Sequence, residues 1–282
     1  MSAGWRHAVT TLAAGAMGAG IARAVQRQLN ANPPGGRQRW ERINYRGGTV
    51  TLAAGPAMAL GAAAGAALAP GTSARMRAAG AVVAGTAGVV GLYDDLAGSS
   101  ASKGLSGHLT ALRHGQVTSG TVKIAALGTA GLASAAMVID DPLDVLVGGA
   151  AVAGHANLFN LLDLRPGRAI KVALLHTPMA VRGPAAGLAA AGVGAATAML
   201  PADLGEKSML GDAGANALGA ALGLAMVARE GRTARLVHLG VVTALTLASE
   251  RVSFTRVIEK TPVLRELDRL GRRPQDDDAI RP

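Results

Sequence analysis

Apolar residues along this chain fall in long blocks instead of the alternating pattern of half-buried strands. A helix that crosses a membrane needs roughly 20 mainly apolar residues, or somewhat fewer between polar anchors. We find such blocks at 8–22, 49–69, 78–95, 120–139, 143–161, 169–182, 184–200, 213–229 and 234–248. The pattern predicts an all-α, polytopic membrane bundle of about nine transmembrane helices. The sixth block contains His176 and Pro178 and predicts a broken or half-depth helix.

The C-terminal part of the chain has a different pattern. From residue 250 to residue 273, charged residues alternate with apolar ones, and Pro262 interrupts the series. This pattern is typical of an amphipathic helix that lies on a membrane surface or caps a bundle. The sequence therefore predicts a transmembrane bundle at 1–249, a cytoplasmic amphipathic helix at 250–273 and a disordered tail at 274–282.

The composition supports a membrane protein and bears on its orientation. Only 16% of residues are charged, against about a quarter in a soluble domain. The net charge of +10 would suit nucleic acid, but aromatics make up 2% and no nucleic-acid motif is present, so we expect no such partner. Basic residues that accumulate on one side of a membrane explain the charge more simply.

The placement of the 28 Lys and Arg residues gives a predicted topology. With the N-terminus outside, most of them fall in the inside connections, so the C-terminus is predicted to be cytoplasmic in an inner, or plasma, membrane. A cleaved signal peptide ending near Ala24 is the alternative, and it would invert this topology. Cysteine is absent, which excludes a disulfide framework, a thiolate metal site and a thiol nucleophile.

Polar residues that suggest chemistry gather at the predicted cytoplasmic ends of the blocks. Asp94 and Asp95 close the third block, although the C-terminus of a helix disfavours acids. Acids in such a place near a membrane usually have a function, and a solvated helix end is the structural alternative. Lys103 follows in a polar loop that also contains His108.

Two further polar groups are predicted on the same side. Asn157, Asn160 and Asp163 are spaced so that a helix would present them within an arc of about 120°. Asp212 begins the eighth block, shortly after Lys207. The asparagines also suit hydrogen bonding between helices, and Asp212 also suits a simple helix cap.

Taken together, these groups favour phosphate chemistry. Carboxylates at three cytoplasmic helix ends can hold one Mg²⁺, which prefers oxygen ligands and retains waters and substrate phosphates. Basic loops beside them can neutralise a diphosphate, and phosphoryl transfer depends mainly on positioning and charge neutralisation.

At these residues the chain resembles the polyprenyl-phosphate N-acetylhexosamine-1-phosphate transferases, the glycosyltransferase family 4 that includes lipid I synthase. The resemblance covers most of the chain in order. Its motifs are Gly47 to Pro56, Gly91-Leu-Tyr-Asp-Asp95, Lys103-Gly-Leu, the Asn-x-x-Asn-x-x-Asp of Asn157 to Asp163, and Met209-Leu-Gly-Asp212-Ala-Gly214. In the last of these, Leu210 is inserted into the family's Met-Gly-Asp-x-Gly.

The resemblance implies that a polyprenyl phosphate oxygen attacks the β-phosphate of a UDP-sugar and expels UMP, with Mg²⁺ as cofactor. By position, it implies that Asp212 and Asp95 bind the metal. It assigns catalytic roles to Asp94, Asp95 and Asp163. It assigns substrate binding to Lys103, Asn157 and Asn160. Two basic loop residues, Arg165 and Lys207, are further candidates for contact with an anionic substrate.

The chain also departs from the family. Asp163 is followed by Leu-Arg-Pro-Gly, so Pro166 stands where the family has a second carboxylate, and the family's His-rich last cytoplasmic loop is replaced by residues 250–273. Two hypotheses follow. The first is a divergent transferase of cell-envelope glycan synthesis. The second is a non-catalytic relative that binds a lipid-linked or nucleotide ligand or an envelope-assembly partner. The sequence also leaves open whether the protein forms a homodimer. A transporter is disfavoured, because the polar groups gather at one face whereas transport sites lie near the middle of the membrane.

Overall fold

The computed structural model describes residues 2–97, 107, 110, 111 and 113–274. The described residues include twelve α-helices with defined bounds, one 3₁₀ turn and one short hairpin. The helices are α1 (Ala3–Ala31), α2 (Arg37–Trp40), α3 (Ala54–Ala67), α4 (Ala74–Ala97), α5 (Ser119–Ala136), α6 (Pro142–Leu162), α7 (Arg168–Ala180), α8 (Ala186–Leu204), α9 (Gly211–Val227), α10 (Arg232–Ser249), α11 (Phe254–Lys260) and α12 (Pro262–Arg269). The prediction of an all-α fold is confirmed.

Among the described residues, four helical segments are long and apolar enough to cross a membrane. They are Ala3–Ala31, Ala74–Ala97, Pro142–Leu162 and Gly183–Leu204, the last of which includes a 3₁₀ turn before α8. By length and composition these segments suggest a membrane protein. Every predicted block overlaps a helix, but nine crossings and the orientation of the termini stay predictions.

The second predicted block, 49–69, begins in a strand and not in a helix, so the predicted start of this helix is wrong. Strand β1 (Glu41–Ile43) pairs antiparallel with β2 (Thr49–Thr51), and α3 begins only at Ala54. The Asn44 side chain accepts hydrogen bonds from the backbone N–H groups of Arg46 and Gly48 and so fixes the turn. Thr51 then exchanges backbone hydrogen bonds with the segment before α9, at Lys207 and Met209. The hairpin is thereby attached to the beginning of α9.

Helix α9 forms the centre of the bundle. Its residues from Ala213 to Val227 are all buried, because this stretch carries no charge and Asn216 is its one amide side chain. Helices α3, α4 and α6 pack around it. On the α6 side, Gly219 and Gly223 lie against His155 and its neighbours, so these two glycines at four-residue spacing let α6 and α9 pack closely.

Two short helices occupy the predicted amphipathic segment, and Pro262 lies in the first turn of α12, where a proline is tolerated. The buried Asp268 fastens α12 to the start of α7. Its carboxylate accepts hydrogen bonds from Arg168 at 2.7 and 3.1 Å and from Arg272 at 2.6 Å. The predicted disordered tail, from residue 275 onward, lies outside the described residues.

Asp268 is expected to make this attachment dependent on pH. Burial acts to raise its pKa, but the hydrogen bonds and positive charges of Arg168 and the charge of Arg272 outweigh it and lower the pKa. The stabilisation is therefore present above the ordinary aspartate pKa of about 4 and is lost as pH falls below it. In Asp268→Asn, we expect hydrogen–deuterium exchange across 254–269 at pH 7 to be at least about tenfold faster. The wild type should lose the same protection below about pH 4.

Glu266→Gln is the matched control for that measurement. Glu266 lies on the same helix and pairs with Arg265 at 3.5 Å on the surface, where an ion pair contributes little. Equal hydrogen–deuterium exchange in Asp268→Asn and Glu266→Gln would show that Asp268 does not attach α12 to α7.

Candidate functional site

One lysine joins two of the candidate acids at the junction of α4, α5 and α9. The ammonium of Lys123 lies 2.7 Å from the Oδ2 atom of Asp94 and also contacts the Oδ2 atom of Asp212. All three side chains are largely buried, with 15%, 18% and 22% of their surface exposed. We call these three residues the Asp–Lys cluster. It carries a net negative charge next to apolar helices.

Asp95 caps α9 from another helix. The backbone N–H groups of Asp212 and Ala213 donate to its two carboxylate oxygens, each at 3.0 Å. The N-terminus of a helix leaves its first N–H groups without helical partners and favours a negative charge. The C-terminus of α4 disfavours a negative charge, but the N-terminus of α9 stabilises the Asp95 carboxylate there. Asp212, in the first turn of α9, binds Lys123 instead.

Gly211 makes room for this cap. Its φ of +57° is in the left-handed region, and a Cβ placed there would lie 2.9 Å from both carboxylate oxygens of Asp95. Gly211→Ala is expected to destabilise the protein by about 1–3 kcal/mol, measured as a lower midpoint of thermal unfolding in detergent. Gly128→Ala is the control, because open space surrounds that mid-helix position and the change should stabilise by about 0.5–1 kcal/mol. A Gly211→Ala midpoint equal to that of wild type would contradict the packing described.

A groove of about 390 Å³ opens beside the Asp–Lys cluster, between α5, α6 and α10. Lys123, Asn157 and Asn160 lie in its polar part, and Ile124 and Leu127 contribute to its apolar wall. The Asn157 amide donates to the Thr246 hydroxyl at 3.3 Å, so it also links α6 to α10, as the structural alternative predicted. We call this cavity the α5–α10 groove.

Asp163 lies on another side of the site. It ends α6, leaves the helical conformation and lines a cavity of about 210 Å³ with hairpin residues such as Asn44 and Tyr45. Burial and the negative charges of Asp203, Asp95 and Asp212 raise its pKa well above the usual range, and the Gly211 backbone amide opposes them. Asp163 is thus electrostatically linked to the other acids, although it does not share a cavity with Asn157 and Asn160.

The remaining predicted substrate-binding residues lie apart. The Arg165 guanidinium stacks 4.6 Å from the centre of the Tyr45 ring, in the wall of the Asp163 cavity. Lys207 is exposed, and its carbonyl group binds the hairpin. The carbonyl group of Pro166 accepts a hydrogen bond from Arg272 at 3.2 Å, which attaches the residues after α12 to the loop after α6. Lys103 and His108 lie outside the described residues.

Sequence reasoning missed two basic residues of the site. It counted Lys123 among the residues that set topology, yet a lysine within an apolar segment is itself a sign of function. Arg42 donates to the Asp95 carbonyl oxygen at 2.5 Å from the edge of the hairpin. Nothing local in the sequence indicates that second contact, because the hairpin and α4 meet only in the folded chain.

The acids suit a divalent cation to a limited extent. Among the described residues, no three His, Asp or Glu side chains are grouped closely enough to form a metal site alone. Mg²⁺ is commonly bound through one or two carboxylates, with waters and substrate phosphates completing its shell. Asp94 and Asp212 supply two such carboxylates, and Asp95 adjoins them through the α9 amides. Asp94 and Asp212 are therefore the residues that could hold a Mg²⁺ ion if waters and a phosphate completed its shell.

No protein-family model and no curated protein matches the chain. The likeness to the polyprenyl-phosphate transferases therefore rests on the motifs described above. Their arrangement in the fold is the remaining observation that bears on function.

Proposed function

We propose that this protein is a phosphoglycosyltransferase that moves a sugar-1-phosphate from a UDP-sugar to polyprenyl phosphate and releases UMP. The observation that carries the proposal is the Asp–Lys cluster at the head of the α5–α10 groove. An acidic centre that holds one lysine, next to a groove with an apolar wall, suits a lipid whose phosphate must react with a second phosphate ester.

The α5–α10 groove is the proposed site of the polyprenyl phosphate. Its apolar wall suits an isoprenoid chain, while Lys123, Asn157 and Asn160 suit the phosphate head. The Lys123 ammonium and the two amides can donate hydrogen bonds to the phosphate oxygens.

The acids have separate proposed tasks. Asp94 and Asp212 hold Lys123 in position and orient its ammonium at the mouth of the groove. Asp95 fixes the start of α9 and so places Asp212. Asp163 and Arg165, in the hairpin cavity, are the proposed contacts of the UDP-sugar. When bound, Mg²⁺ would supply neutralisation of the diphosphate charge, held chiefly by Asp212 with Asp94 and Asp95 beside it.

The proposal includes a location. We place the protein in the inner membrane with about nine crossings, the N-terminus outside and the site at the cytoplasmic face. The excess of Lys and Arg in the connections on that side supports this orientation. Envelope glycan synthesis is the process that would use such a product.

One observation favours the second candidate, a non-catalytic relative that binds a lipid-linked or nucleotide ligand. Lys123 already neutralises part of the charge of Asp94 and Asp212, and both oxygens of Asp95 accept backbone hydrogen bonds. Such a set of contacts also serves stability. In this case the α5–α10 groove would bind a lipid phosphate without turnover.

UMP release by the purified protein in detergent tests the proposal. The mixture contains polyprenyl phosphate, Mg²⁺ and a panel of UDP-sugars, with each component omitted in turn. We expect release that requires both the lipid and the metal, and the active sugar identifies the donor. Silence across the panel with retained lipid-phosphate binding would overturn the transferase in favour of the ligand-binding candidate.

A further inference from the structure

Six arginines line one cavity of about 470 Å³ between the turn of the hairpin and the C-terminal segment from α11 to Pro274, which we call the tail from here on. They come from four parts of the chain, namely the turn, the loop after α6, α12 and the residues after α12. They are Arg46, Arg165, Arg265, Arg269, Arg272 and Arg273. We call it the arginine cavity.

The lining of the arginine cavity has an excess of positive charge. Its acidic members are Glu259 and Asp268, and Asp268 is already bound to Arg168 and Arg272. Outside the lining, Glu206 pairs with Arg46 and Glu266 with Arg265, so six arginines face four nearby acids. Burial lowers the pKa of Arg272. The positive charges of Arg168 and Arg165 lower it further, and the negative charge of Asp268 opposes them. Guanidinium groups gathered in this way repel one another, and a bound anion relieves that repulsion.

Several of the guanidinium groups are held in place by the fold. Arg46 donates to the carbonyl oxygens of Pro274 and Arg273 at 3.0 and 2.9 Å, which attaches the end of the tail to the hairpin. Arg272 is fixed by Asp268 and by the carbonyl group of Pro166. Because these contacts order the cavity in advance, a ligand would not bear the whole cost of arranging the side chains.

From this arrangement we infer that the arginine cavity binds an anion that carries a phosphate or diphosphate group. The planar fork of a guanidinium group matches two phosphate oxygens at once, and such charge-assisted pairs are stronger than neutral hydrogen bonds. The volume exceeds that of a single phosphate, so a phosphate ester or a diphosphate fits. Neither turnover nor the Asp–Lys cluster is needed for this binding.

Two sources can present the same chemistry. The cavity shares Tyr45 and Arg165 with the Asp163 cavity, which favours a soluble phosphate compound. Apolar side chains of the tail, such as Val263 and Leu270, are 70% and 68% exposed, which favours a membrane surface and a lipid headgroup. The experiment therefore has one arm for each source.

The test compares two double variants of the full chain with equal changes in charge. Arg265→Gln/Arg269→Gln removes two cavity arginines, and Arg251→Gln/Arg256→Gln removes two exposed arginines that do not line the cavity. In the first arm, pyrophosphate is titrated calorimetrically into protein in neutral detergent. In the second arm, the protein is reconstituted in nanodiscs of mixed phosphatidylglycerol and phosphatidylcholine. It is then released from the nanodiscs, and native mass spectrometry counts the lipids that it retains.

We expect the cavity variant to weaken binding at least about tenfold in one arm, while the control variant changes it less than about twofold. Loss in the pyrophosphate arm identifies a soluble source, and loss of retained phosphatidylglycerol identifies a lipid headgroup. No binding in either arm, or equal losses in the two variants, would overturn the inference. Because UMP release is not a readout, failure of the transferase proposal leaves this result interpretable.

Discussion

Asp212→Asn is expected to abolish lipid-dependent UMP release, with a fall of about a thousandfold or more. The change removes the negative charge from the acid that contacts Lys123 and that is the proposed chief metal ligand, while it keeps the size of the side chain. A thousandfold loss corresponds to about 4 kcal/mol of transition-state stabilisation. The measurement is the UMP assay with purified variant, after size-exclusion chromatography has shown that it is folded.

Asp140→Asn is the matched control for this variant. Asp140 is exposed and lies just before α6, at the end of that helix opposite the Asp–Lys cluster. It should release UMP at the wild-type rate. If Asp212→Asn kept its rate within about tenfold of wild type, Asp212 would not be the principal metal ligand.

Lys123→Met is expected to produce the largest loss of stability. It leaves Asp94 and Asp212 close together and largely buried without their counter-charge. Breaking a buried ion pair by removing one partner costs about 3–5 kcal/mol. For a chain of this size, the midpoint of thermal unfolding should fall by roughly 10 °C.

A triple variant separates the charge effect from the loss of packing. Asp94→Asn/Lys123→Met/Asp212→Asn removes all three charges, and its midpoint should recover most of the loss. Lys207→Met provides the control for removing a lysine, since Lys207 is exposed, and it should change the midpoint little. A triple variant as unstable as Lys123→Met would show that the lysine stem, and not its charge, stabilises the cluster.

The helices were predictable because their signal is local. Blocks of apolar residues and the polar residues between them depend only on neighbouring positions, so each predicted block overlaps a helix. The β-hairpin was missed because Thr49 and Val50 continue an apolar block. The turn signal that was available is Asn44 followed by Gly47 and Gly48.

The contacts of the site were not predictable from the sequence. Asp94 and Asp95 are neighbours, yet one pairs with Lys123 and the other caps α9, because successive residues of a helix point in different directions. Asn157 and Asp163 were expected on one face, but α6 ends at Leu162 and Asp163 turns into another cavity. Both outcomes depend on how separate helices meet.

A buried chain of histidines is a further case. His155 Nδ1 lies 2.9 Å from His238 Nε2, and His238 Nδ1 lies 3.1 Å from Glu230 Oε2. Each histidine is a single polar position in an apolar block, so its partner is visible only after α6 and α10 have packed.

The packing of α1 bears on how the protein is made. Gly18 of α1 lies directly against the backbone of Ala191, and Gly15 lies against Gly194, both on α8. Helix α8 begins only at residue 186, so at about 5–20 residues per second the ribosome needs on the order of ten seconds or more to supply this partner. During that interval α1 can already pack against α3, because Gly61 and Gly65 of α3 also lie against Gly18, but its contact with α8 cannot form. The contact between α1 and α8 is therefore a late event in biogenesis, although α1 is synthesised first.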